Sequence, residues 1–223
     1  MKDVAILTPT FTKPELCAAH VDSIMKSTDR ADVFLSCAWD DPELAAYIEL
    51  FDHTMLHIGP HMMFGPAVNA LWRAHPGYKY YMWGSDDMVA DSTGWLDALV
   101  GAILLHPDKI AVAWPDDQLG HPHRRARELA RFPLVSSEFL EALGWFCIPG
   151  VHHWYLDDAM TFIADSLNRT RYCPMARVRH EHKPAPMPQW WSSAKDESSY
   201  RDWLSKQSQF DLARLRAVMR GDG

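Results

Sequence analysis

The chain has 223 residues, 48% hydrophobic and 23% charged, which is enough for one substantial α/β domain. Its formal charge of −7 excludes a global basic field that would hold nucleic acid by electrostatics alone. The four cysteines, Cys17, Cys37, Cys147 and Cys173, form no CxxC pair, which argues against a zinc ribbon. The opening MKDVAILTPTF is too short an apolar run for a signal peptide, and Leu96 to Leu105 is interrupted by Asp97. The expectation is a cytoplasmic protein with reduced thiols and no membrane contact.

Val4 to Thr8 reads as a buried strand that stops at Pro9 and Thr10. Pro14 to Ser27 has helical spacing. Val33 to Cys37 is a second strand, followed by Asp40 and Asp41. A short helix is predicted over Glu43 to Phe51, a third strand over Thr54 to Ile58 and a helix over Gly65 to Ala74. Tyr80 to Trp83 is a fourth strand, ending in Gly84-Ser85-Asp86-Asp87. Trp95 to Leu105 is an amphipathic helix and Ile110 to Trp114 a fifth strand.

The second half is less regular. His121 to Pro133 gathers Arg124, Arg125, Arg127 and Arg131 between prolines. Ser136 to Leu143 and His153 to Leu167 are predicted helices, the latter carrying Asp157-Asp158 near its start. Arg171 to His182 is predicted as a strand, Lys183 to Ser199 as a Pro-, Ser- and Trp-rich loop, and Tyr200 to Met219 as one helix. No linker interrupts the chain. The expectation is a single α/β domain over 1–223, with a mostly parallel central sheet flanked by helices. It divides into a half over 1–115, a half over 116–199 and a C-terminal helix over 200–223.

Ligands of such sheets bind outside the carboxyl ends of the strands. Thr8-Pro9-Thr10, Asp40-Asp41 and Ser85-Asp86-Asp87 should therefore converge on one crevice. Two adjacent carboxylates repel unless a cation lies between them, and hard oxygen ligands suit Mg²⁺ or Mn²⁺. A solvated turn is the plain alternative. Asp157-Asp158 would place a general base at a pocket mouth, or simply favour a helix start. His180 and His182 point to one face of a strand and suit a metal or a phosphate, or solvent. Asn69, early in a helix behind Gly65, suits a ribose or base edge, or an ordinary polar helix surface.

The order of these motifs resembles that of the family 2-like glycosyltransferases with the GT-A, Rossmann-like fold, over roughly residues 3 to 183. The resemblance implies that Thr8, Pro9 and Thr10 line the nucleotide pocket. It places Asp40 near the base and ribose, and Gly65 and Asn69 beside the nucleotide. Ser85-Asp86-Asp87 matches the metal-binding Asp-x-Asp motif, whose first Asp would fall at Gly84. Trp95-Leu96 and Gly144-Trp145-Phe146 match further family positions. Asp157-Asp158 matches a Glu-Asp pair whose second member is the catalytic base, and His180 or His182 matches a late metal- or diphosphate-binding His.

The implied activity is sugar transfer from a nucleotide-sugar, a UDP-sugar by preference, with Mn²⁺ or Mg²⁺ and inversion by Asp158. A hydroxymethylated pyrimidine of phage DNA is one acceptor, gripped by the arginines of 124–131, Lys183, Trp190 and Trp191. A glycan, protein or small-molecule hydroxyl is the alternative. Two rival readings are a zinc hydrolase using His152, His153, His180, His182 and Asp157, and a non-catalytic nucleotide-binding module.

Overall fold

The computed structural model describes residues 2–118, 128–181 and 192–221. Its chain order is β1 (Val4–Pro9), α1 (Pro14–Ser27), β2 (Ala31–Ala38), α2 (Leu44–Leu50), β3 (Leu56–Gly59), α3 (Phe64–Ala74), β4 (Tyr80–Trp83), β5 (Met88–Ala90), α4 (Trp95–Leu104), β6 (Val112–Asp116), β7 (Leu134–Ser136), α5 (Ser137–Leu143), α6 (Leu156–Leu167), β8 (Thr170–His180), α7 (Ser193–Lys206) and α8 (Ser208–Arg220).

The sheet runs β3-β2-β1-β4-β7-β6-β8-β5. β3, β2, β1 and β4 are mutually parallel, with Leu7 opposite Trp83, Pro9 opposite Ser36 and Ala38 opposite Gly59. Their carboxyl ends therefore share one edge. β7 is antiparallel to β4 and β6, β8 is parallel to β6, and β5 is antiparallel to β8. β1 reads as an unbroken apolar run because helices cover both its faces, and Val4 to Leu7 are fully buried.

Local chemistry sets the helix ends. Pro14 opens α1, where its missing N–H costs nothing. Ser136 caps α5 by accepting from the Phe139 N–H at 3.1 Å, and Gly144 ends it at φ 79°.

The C-terminal region departs from expectation. Residues 193–199, expected in a loop, begin α7, and the single helix expected over 200–219 is two helices that break at Gln207. The Trp203 indole N–H donates to Asp211 Oδ2 at 2.9 Å, and the Ser208 hydroxyl donates to the Leu204 carbonyl at 2.7 Å. These bonds fold α8 back onto α7, and Leu212 and Leu215 are buried. The short strands β5 and β7 were not predicted, because three residues carry no readable alternation. Trp83, Trp95, Trp114, Trp145 and Trp203 are core residues, whereas Trp39 and Trp154 are exposed. Among the described residues, no helix is long and apolar enough to cross a membrane.

Candidate active site

The crevice lies at the shared carboxyl edge of β1, β2 and β4. Asp86 and Asp87 follow β4 and are 8% and 6% exposed, so this is not a solvated turn. Asp86 Oδ2 accepts from the Thr10 hydroxyl at 3.2 Å, and Asp86 Oδ1 faces the Lys13 ammonium at 3.5 Å. Asp87 Oδ1 accepts from the Ser85 hydroxyl and lies 3.2 Å from His180 Nε2. Each carboxylate thus has a cationic or ionisable neighbour of its own.

Their acidities diverge accordingly. Burial pushes the Asp86 carboxyl up to about 6; Lys13 opposes this and the Asp87 charge reinforces it. Burial also acts to raise Asp87, but the hydrogen bond and charge contact with His180 outweigh it and hold that carboxyl well below the usual range.

The loop after β1 is braced from β2 and α2. The Tyr47 hydroxyl bonds Thr10 Oγ1 at 2.7 Å and accepts from the Lys13 backbone N–H at 3.0 Å. Asp41 accepts from the backbone N–H groups of Thr12 at 2.9 Å and Glu43 at 2.8 Å. Asp41 is therefore a brace, while Asp40 is exposed. Thr8, expected at the nucleotide pocket, is engaged within the protein. It is fully buried, and its hydroxyl bonds His20 Nε2 at 3.0 Å. Pro9 ends β1 beside it, only partly buried.

Gly84 stands where the resemblance would put a first carboxylate. A Cβ there would lie 2.8 Å from Thr8 Oγ1, 3.1 Å from His20 Cε1 and 3.2 Å from Ile6 Cγ2. No side chain fits without displacing a buried hydrogen-bonded pair. We expect Gly84→Ala to lower stability by about 1–3 kcal/mol, seen as a lower urea midpoint with an unchanged slope.

Asn69, expected beside the nucleotide, is likewise engaged within the protein. Its side chain is buried, accepts from the Phe146 and Cys147 N–H groups at 2.8 and 3.0 Å, and donates to the Cys147 carbonyl at 2.7 Å. Its hydrogen bonds go to the 146–147 backbone rather than to an open pocket. Gly65 serves the same packing. Its N–H donates to the His152 carbonyl at 2.8 Å, and a Cβ would meet the Val151 carbonyl at 2.7 Å. α3 thus holds the segment that leads into Asp157 and Asp158.

α7 holds that segment from the other side. Asp196, fully buried, accepts from the N–H groups of His152, His153 and Trp154 at 2.9, 2.8 and 2.9 Å. Tyr200 stacks on Tyr155 at 5.3 Å. Tyr155 sits at φ 68°, and the chain then enters α6, whose first turn carries Asp157 and Asp158.

Burial first, then the Asp158 charge, pushes the Asp157 carboxyl up to about 6, with Arg131 opposing. A carboxyl raised above its unfolded value of 3.8 favours the folded state in acid and loses that contribution as pH rises through 6. Asp157→Asn, which keeps an acceptor for the Asp158 N–H, should therefore stabilise the protein at pH 7. The gain should be on the order of 2 kcal/mol and vanish below about pH 4, measured by thermal unfolding across pH.

The two halves of the crevice meet at several points. The His153 side chain feels the charges of Asp196, Asp87 and Lys13. His180 packs edge-on against Phe132 at 5.2 Å, and Arg131 pairs with the buried Asp117 while its charge reaches Asp157. Arg131 is therefore mostly buried and engaged within this wall. His182, Lys183, Trp190, Trp191, Arg124, Arg125 and Arg127 lie outside the described residues.

Sequence reasoning missed Lys13, Tyr47, Arg131 with Asp117, and Asp196. Lys13 had a usable signal, since it follows the Thr-Pro-Thr strand end by three residues. The other partnerships join distant segments, and no local pattern marks them. No group of three or more His, Cys, Asp or Glu side chains is gathered for a metal among the described residues. The zinc set is not assembled there, and His152 Nδ1 instead lies 3.4 Å from Asp196.

No protein-family model and no curated protein matches the sequence. Several solved structures do match the fold. One is a mannosyltransferase from Pyrobaculum calidifontis in complex with GDP-Man and Mn²⁺, at TM-score 0.60 and 14% identity over 98% of this chain and 74% of that chain. A second is glucosyl-3-phosphoglycerate synthase from Mycobacterium tuberculosis with Mn²⁺, UDP and phosphoglyceric acid, at 0.58 and 14% over 98% and 78%. A third is the catalytic domain of Drosophila β1,4-galactosyltransferase 7 with xylobiose, at 0.57 and 14% over 89% and 79%. With the strand order and the strand-end carboxylates described above, these likenesses establish that the chain has the GT-A glycosyltransferase fold.

Proposed function

We propose that the protein is a glycosyltransferase that moves a sugar from a nucleotide-sugar donor to an acceptor hydroxyl. One observation carries the reading. Two adjacent, nearly buried carboxylates stand at the carboxyl edge of the sheet, with Lys13 on one side and His180 on the other. The oxygen donors of such a pair suit Mg²⁺ or Mn²⁺ completed by substrate phosphates. The fold's solved neighbours support the same reading, since GDP-Man with Mn²⁺ and UDP with Mn²⁺ are bound in two of them.

Asp86 and Asp87 would hold the ion, which when bound offsets the charge that develops on the leaving diphosphate. Thr10 and Tyr47 fix the Asp86 side of the donor site, and Ser85 and His180 fix Asp87. Asp40, exposed just after β2, would take the base and ribose. Asp158, at the start of α6, takes the proton from the acceptor hydroxyl as it attacks the anomeric carbon, which gives inversion by single displacement. The half over 1–115 binds the donor and the half over 116–199 faces the acceptor. The acceptor carries a free hydroxyl; hydroxymethylated DNA is one such acceptor and belongs in the test.

The test is thermal shift with UDP, GDP and their sugars, with Mn²⁺ or EDTA, followed by transfer assays on hydroxymethylated DNA, glycans and small alcohols. At a hundred times its dissociation constant the right nucleotide should add about 2.7 kcal/mol, and EDTA should abolish the gain. A shift with zinc alone and none with any nucleotide would overturn the reading in favour of a hydrolase.

A further inference from the structure

Lys13 has a place in the site that neither the strand-end motif nor the fold requires. Its ammonium lies 3.5 Å from Asp86 Oδ1, with only 19% of the side chain exposed. The other oxygen of Asp86 accepts from Thr10. Asp86 is thus held by a hydroxyl on one oxygen and faced by a positive charge on the other, in a buried setting where a bare carboxylate would be costly.

The backbone of Lys13 is fixed. Its N–H donates to the Tyr47 hydroxyl at 3.0 Å, its carbonyl accepts from the Cys17 N–H at 3.0 Å, and Pro14 follows at the start of α1. Its side chain is a compact charge on a flexible four-carbon stem. A divalent ion on Asp86 Oδ1 and an ammonium at the same oxygen would repel strongly across a few ångströms of poorly hydrated space. The two are alternatives.

We propose that Lys13 is an exchangeable counter-ion. It neutralises Asp86 in the unloaded protein, yields that oxygen to the divalent ion on loading, and swings to the diphosphate of the bound nucleotide. The inference rests on the glycosyltransferase reading. Its consequence is a linkage. Metal binding must first displace the ammonium, and a nucleotide diphosphate that receives the ammonium makes displacement easier. Metal and nucleotide therefore strengthen each other's binding, reciprocally, beyond what direct metal–phosphate contact supplies.

The variant Lys13→Met keeps the length of the stem and removes the charge, and Lys13→Arg keeps the charge. Mn²⁺ affinity is measured on the full chain by the paramagnetic signal of the free ion, with and without UDP or GDP. Circular dichroism confirms that each variant is folded. The expected result is that Lys13→Met binds Mn²⁺ more tightly than wild type without nucleotide, on the order of tenfold, and binds nucleotide more weakly. Its metal–nucleotide coupling should shrink by a similar factor, and Lys13→Arg should restore the wild-type pattern. Equal or weaker Mn²⁺ binding by Lys13→Met, beside measurable binding by wild type, overturns the counter-ion role and leaves the transferase reading standing. If neither wild type nor variant binds Mn²⁺ with or without nucleotide, both fall together. Should Lys13→Met fail to fold, Lys13→Gln carries the same comparison.

Discussion

Asp158→Asn should reduce sugar transfer by about 10²–10⁴-fold while leaving the metal-dependent nucleotide shift intact. The amide keeps the shape and burial of the carboxylate but cannot take the acceptor proton. The residue sits at the start of α6, on a segment clamped by α3 through Gly65 and by α7 through Asp196 and Tyr200. The residues proposed to hold the metal and donor belong to other elements, the ends of β1 and β4 and the last residue of β8. The loss should therefore appear in kcat, with donor affinity unchanged. A variant that keeps its turnover would show that Asp158 is not the base. A variant that loses nucleotide binding as well would make Asp158 part of the donor site.

The fold was legible wherever one strand or helix announced itself. β1 and β4 are short apolar runs cut off by Pro9 and by Gly84, and α1 opens on a proline; those elements came out within a residue or so of their predicted bounds. The strand ends carry polar clusters because the parallel sheet collects them on one edge, and this made Asp86 and Asp87 readable. What was not legible was which polar side chains face the crevice and which hold the protein together. Thr8, Asn69 and Asp41 have the residue types of ligand-binding positions, yet their hydrogen bonds go to His20, to the 146–147 backbone and to the backbone of residues 12 and 43. A buried polar group must find a partner, and that partner can come from anywhere in the chain. Asp196 shows the limit most clearly. It lies in a Pro-, Ser- and Trp-rich stretch that reads as a loop, and its three N–H donors lie more than forty residues earlier.

Asp87→Asn should abolish the metal-dependent shift that Asp158→Asn retains, and with it lower transfer by about 10²–10³-fold. The ligand-induced stabilisation of about 2.7 kcal/mol at a hundred times the dissociation constant should fall to near zero. The unloaded protein should change less, because two effects oppose each other. Asparagine relieves the repulsion between Asp86 and Asp87, but it takes the negative charge away from His180, 3.2 Å distant in a nearly buried site. Ser85 keeps an acceptor, since the amide oxygen can stand where the carboxylate oxygen stood. The two variants therefore divide the crevice. One loses chemistry and keeps the donor; the other loses metal and donor together. If Asp87→Asn kept the metal-dependent shift and Asp86→Asn lost it, the ion would sit on the Asp86 side alone. Asp87 and His180 would then form a structural pair joining the end of β4 to the end of β8, and Lys13, as the neighbour of Asp86, would be the residue that governs metal entry.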